Sequence, residues 1–139
     1  MSAWTVAVLG ATAAHAGFQA TVTVLVYPAL ASVRTEDWTD LHDAHSRRIT
    51  PLVALVYGAL LVSCAGALVA APGSPGVWVA AVGAASTFLV TATSAAPTHG
   101  RLAAGRTDPL VARLLRADRW RLVLAVVALV GAILAVSGA

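Results

Sequence analysis

Histidine and arginine side chains are concentrated in two short stretches of this chain. His42 and His45 are followed by Arg47 and Arg48, directly before a long apolar run, and a third histidine, His99, lies at the end of another apolar run. Imidazole can transfer protons near neutral pH and can bind zinc, copper or iron. Arginine can hold an anionic oxygen by charge-assisted hydrogen bonds. These residue types predict acid–base or metal chemistry.

The catalytic hypothesis assigns roles to histidines and arginines from both stretches. His45 and His99 would transfer protons or bind a metal. Arg48 and Arg101 would stabilise an anionic or enolate-like oxygen. In the metal hypothesis the ligands to iron, copper or zinc are His42, His45 and His99. Three alternatives stay open: a metal site, a metal-free acid–base or substrate-anchoring site, and purely structural histidines.

A second polar pattern lies inside the first apolar stretch. Its residues recur at spacings of three and four, which places them on one helix face: Thr12, His15, Gln19, Thr23 and Tyr27. Polar groups that face lipid lack hydrogen-bond partners, so we expect His15, Gln19, Thr23 and Tyr27 to line an interior cavity, with Tyr57 from the next apolar stretch. This cavity would hold a small hydrophobic substrate. The structural alternative is that these groups bond within and between helices.

The composition predicts the elements that position these residues. The chain has 139 residues, of which 59% are hydrophobic and 11% charged, as is typical of integral membrane proteins. Apolar stretches at 4–27, 51–71, 77–96 and 120–137 are long enough to cross a hydrocarbon core of about 30 Å. The first lacks a preceding basic region, so we expect a retained helix rather than a signal peptide.

We therefore expect a single domain over residues 1–139. Its fold class is all-α, an integral membrane antiparallel four-helix transmembrane bundle with short amphipathic cytoplasmic helices before the second and fourth spans.

The charge distribution predicts the orientation and the surroundings. All nine basic residues are arginines, and they lie within 34–48 and 101–121. The positive-inside rule places both segments in the cytoplasm and both termini outside. The absence of lysine and the abundance of alanine, valine and arginine favour a bacterial source, and therefore the bacterial inner membrane. These arginines lack interleaved aromatic residues, so the expected partner is the lipid bilayer and not nucleic acid. The chain could also form a homo-oligomer.

Two non-enzymatic hypotheses are also compatible with the sequence. In the first, the chain is a small transporter or carrier component, although no acidic residue lies within the four predicted spans, where cation transporters usually carry one. In the second, it is a non-catalytic assembly subunit. Its docking face would be the small residues Gly58, Cys64 and Gly66 of the second span.

Several short motifs together resemble a known family. They are Val26-Tyr27-Pro28, His42 to Arg48, Pro97-Thr98-His99-Gly100-Arg101-Leu102 and Asp118-Arg119-Trp120-Arg121. Over nearly the whole chain they resemble small bacterial four-helix membrane proteins of no settled function. The helix layout is also similar, more distantly, to the anthrone-oxygenase-like membrane domains of polyketide pathways.

This resemblance implies a set of functional positions and a reaction class. The positions are Tyr27, Pro28, His45, Arg48, His99, Arg101, Trp120 and Arg121. The more distant similarity implies oxidation of an aromatic or polyketide-like substrate. Relatives often carry histidine where this chain has Val26, which removes one ligand from any metal site that needs it.

Overall fold

Long helices account for most of the computed structural model, which describes residues 2–138. In this part of the chain they are α1 (Ala3–Ala31), α2 (Thr35–Ala70), α3 (Pro75–Ala103) and α4 (Asp108–Ser137). Each is long and apolar enough to cross a membrane. The prediction of an all-helical, multi-pass membrane protein is therefore confirmed for the described residues.

The short amphipathic helices predicted before the second and fourth spans are not separate elements. Trp38–Ala70 forms one α-helix that contains Pro51, and Asp108–Ser137 forms another. Pro51 removes one backbone hydrogen bond from α2, but the helix continues through it. Because α4 is continuous, Asp118 and Arg121 belong to the same rigid element as the apolar part of α4.

Both α1 and α3 contain a π-helical turn directly before a proline-containing turn. These turns are Val22–Val26, ahead of Pro28, and Thr91–Ala95, ahead of Pro97. A proline ring clashes with the carbonyl group four residues earlier, and a wider turn relieves that clash. The wider turn also shifts the buried face of α1, so that Val22 and Tyr27 are buried while Thr23 is partly exposed.

Small residues bring α3 and α4 into backbone contact. A Cβ atom added to Gly131 would lie 2.9 Å from the carbonyl oxygen of Gly76, and one added to Gly83 would lie 2.8 Å from the backbone nitrogen of Ala128. No side chain larger than hydrogen fits at these positions without movement of the opposite helix. We call this contact the α3–α4 seam; such small-residue contacts are common between membrane helices.

Tryptophans and arginines distinguish the two ends of the bundle. Trp4 and Trp78 lie near the connection between α2 and α3 and are 43% and 51% exposed. Trp120 lies towards the other end and is 59% exposed. We call that other end, which holds the connections 32–34 and 104–107, the arginine-rich end. Exposed tryptophans at both ends are typical of the two membrane interfaces.

The small-residue face predicted for partner docking is mostly covered within the chain. Cys64 is buried, and the Trp4 ring lies over Gly66. Gly58 does have open space around it. A partner helix could therefore approach Gly58 but not the rest of the predicted face.

The sequence also favours Gly100 as the residue that ends the third helix in a left-handed conformation, and this prediction is wrong. Helix α3 continues to Ala103. Among the described residues, the glycine with a positive φ is Gly105, at 155°.

We therefore expect Gly100→Ala to raise the free energy of unfolding by about 0.5–1 kcal/mol, because Gly100 is inside a helix with open space beside it. Gly105→Ala should lower it by about 1 kcal/mol or more, because that backbone conformation favours glycine. Thermal unfolding of both variants in detergent, followed by circular dichroism, measures the difference. Equal shifts of the two midpoints would contradict this account of the end of α3.

Candidate functional site

A chain of hydrogen bonds connects all the long helices near the arginine-rich end. We call it the polar network. Its members are Gln19 and Tyr27 of α1, His42 of α2, His99 of α3, and Asp118 and Arg121 of α4.

The network is anchored by a buried ion pair on α4. Arg121 Nη2 donates to Asp118 Oδ1 at 2.9 Å, and the two side chains are only 8% and 2% exposed. Gln19 Nε2 donates to the same carboxylate oxygen at 2.5 Å. A buried charge is stable when it is paired and hydrogen-bonded, so Gln19 holds the Asp118 carboxylate, and that carboxylate holds the Arg121 guanidinium in place.

Tyr27 connects this ion pair to the histidines. Its hydroxyl oxygen accepts from Arg121 Nη2 at 3.5 Å and lies 2.9 Å from His99 Nε2. His99 Nδ1 in turn lies 3.2 Å from His42 Nε2. Arginine can only donate, so we assign the Tyr27 hydroxyl proton to the bond with His99 Nε2, which then accepts.

This assignment gives the hydrogen bonds one direction. With Nε2 accepting, His99 carries its proton on Nδ1 and donates it to His42 Nε2. His42 then carries its proton on Nδ1, which lies 3.7 Å from Asp43 Oδ1. Asp43 has a half-exposed side chain. The line of hydrogen bonds from Tyr27 therefore runs through His99 to His42, whose Nδ1 atom is buried without a hydrogen-bond partner among residues 2–138.

Trp38 fixes the position of His42. The two rings stack with centroids 5.2 Å apart, and Trp38 Nε1 donates to the backbone oxygen of Leu102 at 2.8 Å. Both Trp38 and His42 are 2% exposed. Trp38 thus ties the start of α2 to the end of α3 and holds the His42 ring beside His99.

A cavity of about 260 Å³ lies beside the network. Its polar lining includes Tyr27, His99 and Arg121, which the hydrogen bonds above connect. Most of the remaining lining is apolar or small: Phe18, Val22, Ser46, Ile49, Thr50, Val53, Thr91, Ala95 and Ala96. Cavities of about this size or larger, apolar with a few convergent polar groups, are typical of small-molecule sites.

The predicted histidines lie close together at this site. The His45 ring centroid lies 6.2 Å from those of His99 and Tyr27. Its Nε2 atom is buried and has no hydrogen-bond partner among the described residues. His45 therefore lies beside the polar network without being bonded into it.

The two arginines predicted for catalysis are placed differently. Arg101 is exposed and does not line the cavity. Arg48 is also exposed and lines a neighbouring groove with His45. The guanidinium that reaches the cavity is that of Arg121, so the oxygen-binding role expected of Arg48 and Arg101 is available to Arg121.

Of the five residues predicted to line the cavity, Tyr27 does so. Thr23 donates to the backbone oxygen of Gln19 at 2.9 Å. His15 is fully buried with its ring edge-on to Tyr57 at 5.1 Å, and neither of its ring nitrogens has a partner among residues 2–138. The Tyr57 hydroxyl lies 3.0 Å from Thr91 Oγ1. His15 and Tyr57 thus form a deeper group beyond the cavity.

Asp118 and Arg121 matter more to this site than the sequence indicates. Asp118 lies two residues before the predicted fourth span at 120–137, but it is buried within the continuous helix α4. Arg121 was available only as a family position. The signal that could have revealed both is their spacing of three within a helix, which allows an Asp–Arg pair on one face.

No geometric support for a metal site emerges. In the described part of the chain, no group of three histidine, cysteine, aspartate or glutamate side chains is placed to hold a metal ion. His42 Nε2 and His99 Nδ1 face each other and are hydrogen-bonded at 3.2 Å. The ligand set of His42, His45 and His99 stays a prediction.

The chain matches no model of a known protein family, no curated protein and no solved structure. The resemblance drawn from its motifs therefore stays a prediction as well.

Proposed function

We propose that this chain is a membrane-embedded enzyme that removes a proton from a small hydrophobic substrate. The observation that carries this proposal is that Tyr27, His99 and Arg121 line one cavity, where the Tyr27 hydroxyl is hydrogen-bonded to both His99 and Arg121. The helices are antiparallel in a bacterial inner membrane, with the arginine-rich end in the cytoplasm, as the positive-inside rule favours.

The direction of the hydrogen bonds supports a proton relay. Tyr27 takes a proton from the substrate as its own hydroxyl proton passes to His99 Nε2. His99 then passes its Nδ1 proton to His42 Nε2. Positioned groups of this kind accelerate proton transfer by about 10²–10⁴-fold. The proton reaches His42, and Asp43 Oδ1, 3.7 Å from His42 Nδ1, would accept it after a side-chain movement that brings the two atoms within hydrogen-bond distance.

Arg121 supplies the charge that such a reaction needs. Proton removal leaves an anion in the cavity, for example an enolate, and a fixed guanidinium in a largely apolar cavity stabilises that charge. Asp118 and Gln19 hold the guanidinium before the substrate arrives, so little reorganisation is needed. The substrate is therefore a small, mostly apolar molecule with a carbonyl or phenolic oxygen beside the acidic proton.

The resemblance to anthrone-oxygenase-like domains favours a specific continuation. An enolate formed in this cavity reacts with molecular oxygen, which forms a new carbon–oxygen bond and yields a hydroperoxide. Loss of water then leaves a carbonyl group where a CH₂ group stood. One O₂ is consumed and one H₂O is released per CH₂ converted to C=O.

The test uses anthrone, an aromatic ketone with an acidic CH₂ group, and the purified protein in nanodiscs. We expect His99→Ala to lower the rate of enzyme-dependent hydrogen–deuterium exchange at that CH₂ group by at least about 100-fold. NMR follows the exchange, and an oxygen electrode follows O₂ uptake in parallel. Arg101→Ala is the matched control, because Arg101 is nearby in sequence but exposed.

Circular dichroism first establishes that both variants are folded. Exchange that His99→Ala leaves unchanged would contradict the proton relay. Exchange that depends on His99 without O₂ uptake would keep the relay and overturn the oxygenase continuation.

One observation favours a second candidate, a proton-coupled carrier. The absence of an acidic residue from the four predicted spans disfavours transport, but Asp118 is buried in α4 two residues before the fourth of them. Gln19 is hydrogen-bonded to Asp118. His15 lies one helical turn before Gln19, on the same face of α1. Uptake of a candidate solute into proteoliposomes that requires a pH gradient would favour the carrier. Turnover without any gradient would favour the enzyme.

A further inference from the structure

A second groove lies between α3 and α4 at the arginine-rich end. It encloses about 350 Å³ and is lined by Thr93 and Ser94 of α3 and by Arg113, Arg116 and Trp120 of α4. It shares no lining residue with the cavity of the polar network. The proposed reaction makes no use of it.

The groove carries positive charge without a matching negative group. No acidic residue lines it, and among residues 2–138 neither Arg113 nor Arg116 forms an ion pair. The two arginines are three positions apart on α4, so their side chains lie on the same helix face. Two neighbouring guanidinium groups can bind one phosphate through several charge-assisted hydrogen bonds.

Trp120 indicates the depth of these arginines in the membrane. An exposed tryptophan near the end of a membrane helix typically lies at the level of the lipid head groups. At 1.5 Å per residue, Arg116 lies about 6 Å and Arg113 about 10 Å further towards the arginine-rich end. Both guanidinium groups are therefore within reach of head-group phosphates. The lower part of the groove includes Val90, which suits the start of an acyl chain.

We propose that this groove binds an anionic phospholipid, whose phosphate lies between Arg113 and Arg116. The hydroxyl-bearing side of the groove, formed by Thr93 and Ser94, faces the glycerol region of the lipid. This site is independent of the proposed enzyme activity. It would hold one lipid in a defined place, beyond the diffuse attraction that every interfacial arginine exerts.

Native mass spectrometry of the detergent-solubilised protein tests the site, with phosphatidylglycerol and phosphatidylcholine as the probes. We expect Arg116→Gln to weaken the tightest phosphatidylglycerol association about fivefold, and Arg113→Gln/Arg116→Gln about 25-fold. Arg119→Gln is the matched control, because it removes the same charge from an exposed neighbour that does not line the groove. It should leave that association within about twofold of wild type.

Three results would overturn the proposal. Equal weakening by Arg116→Gln and Arg119→Gln would show diffuse electrostatic attraction. Equal binding of phosphatidylcholine and phosphatidylglycerol would remove the requirement for an anionic lipid. Displacement of phosphatidylglycerol by millimolar inorganic phosphate would assign the groove to a soluble phosphate. Thermal unfolding in phosphatidylcholine nanodiscs checks that each variant is folded.

Discussion

Asp118→Ala is expected to lower the free energy of unfolding by about 3–5 kcal/mol, because it leaves the buried Arg121 guanidinium without a carboxylate. Gln19 loses its partner in the same step, since both groups donate to Asp118 Oδ1. Unfolding in mixed micelles with increasing sodium dodecyl sulfate, followed by circular dichroism, measures the loss.

Two control variants distinguish the effect of breaking the buried ion pair from the effect of removing any carboxylate. Asp108→Ala removes the carboxylate that pairs with Arg106 at 2.8 Å, but Asp108 is 85% exposed, so it should cost less than about 1 kcal/mol. Asp118→Leu/Arg121→Met removes both buried charges and should recover most of the stability lost in Asp118→Ala. If Asp118→Ala costs no more than Asp108→Ala, the ion pair does not anchor the network.

Gly131→Val is expected to lower the free energy of unfolding by about 3 kcal/mol, because the new side chain would meet the backbone of α3 at the α3–α4 seam. The nearest atoms belong to the backbone around Gly76 and Ala80, which cannot rotate away as a flexible side chain could. The same detergent titration measures this loss.

Gly10→Val is the matched control for the seam. Gly10 also lies inside a membrane helix, but a Cβ atom there would meet nothing within 4 Å. We expect a change of less than about 1 kcal/mol. Similar losses in Gly10→Val and Gly131→Val would mean that the valine side chain itself, and not the contact with α3, destabilises the protein.

Composition and periodicity predict the helices because membrane helices must be long, apolar and internally hydrogen-bonded. Their ends are harder to predict from local rules. Proline and glycine commonly end helices, yet α2 continues through Pro51 and α3 continues through Gly100. In both helices the packing of neighbouring elements outweighs the local preference.

The same local effects explain why some predicted residues lie away from the cavity. Arg101 follows His99 by two positions along a continuous helix, which directs the two side chains to nearly opposite faces, so Arg101 is exposed while His99 lines the cavity. Thr23 does not line the cavity because the π-helical turn Val22–Val26 shifts the buried face of α1 away from it. Arg121 and Asp118 depend on how α4 packs against α1, which no single segment of sequence contains.

The α3–α4 seam also determines which part of the bundle can move when a ligand enters or leaves the cavity. Two helices in backbone contact behave as one stiff body, since any sliding would bring backbone atoms into collision. Ser46, Thr50 and Val53 of α2 line the cavity on either side of Pro51, where the helix lacks a backbone hydrogen bond. Bending of α2 about Pro51 would move the segment that carries His42, so opening the cavity in this way would break both the Trp38–Leu102 hydrogen bond and the contact between His42 and His99.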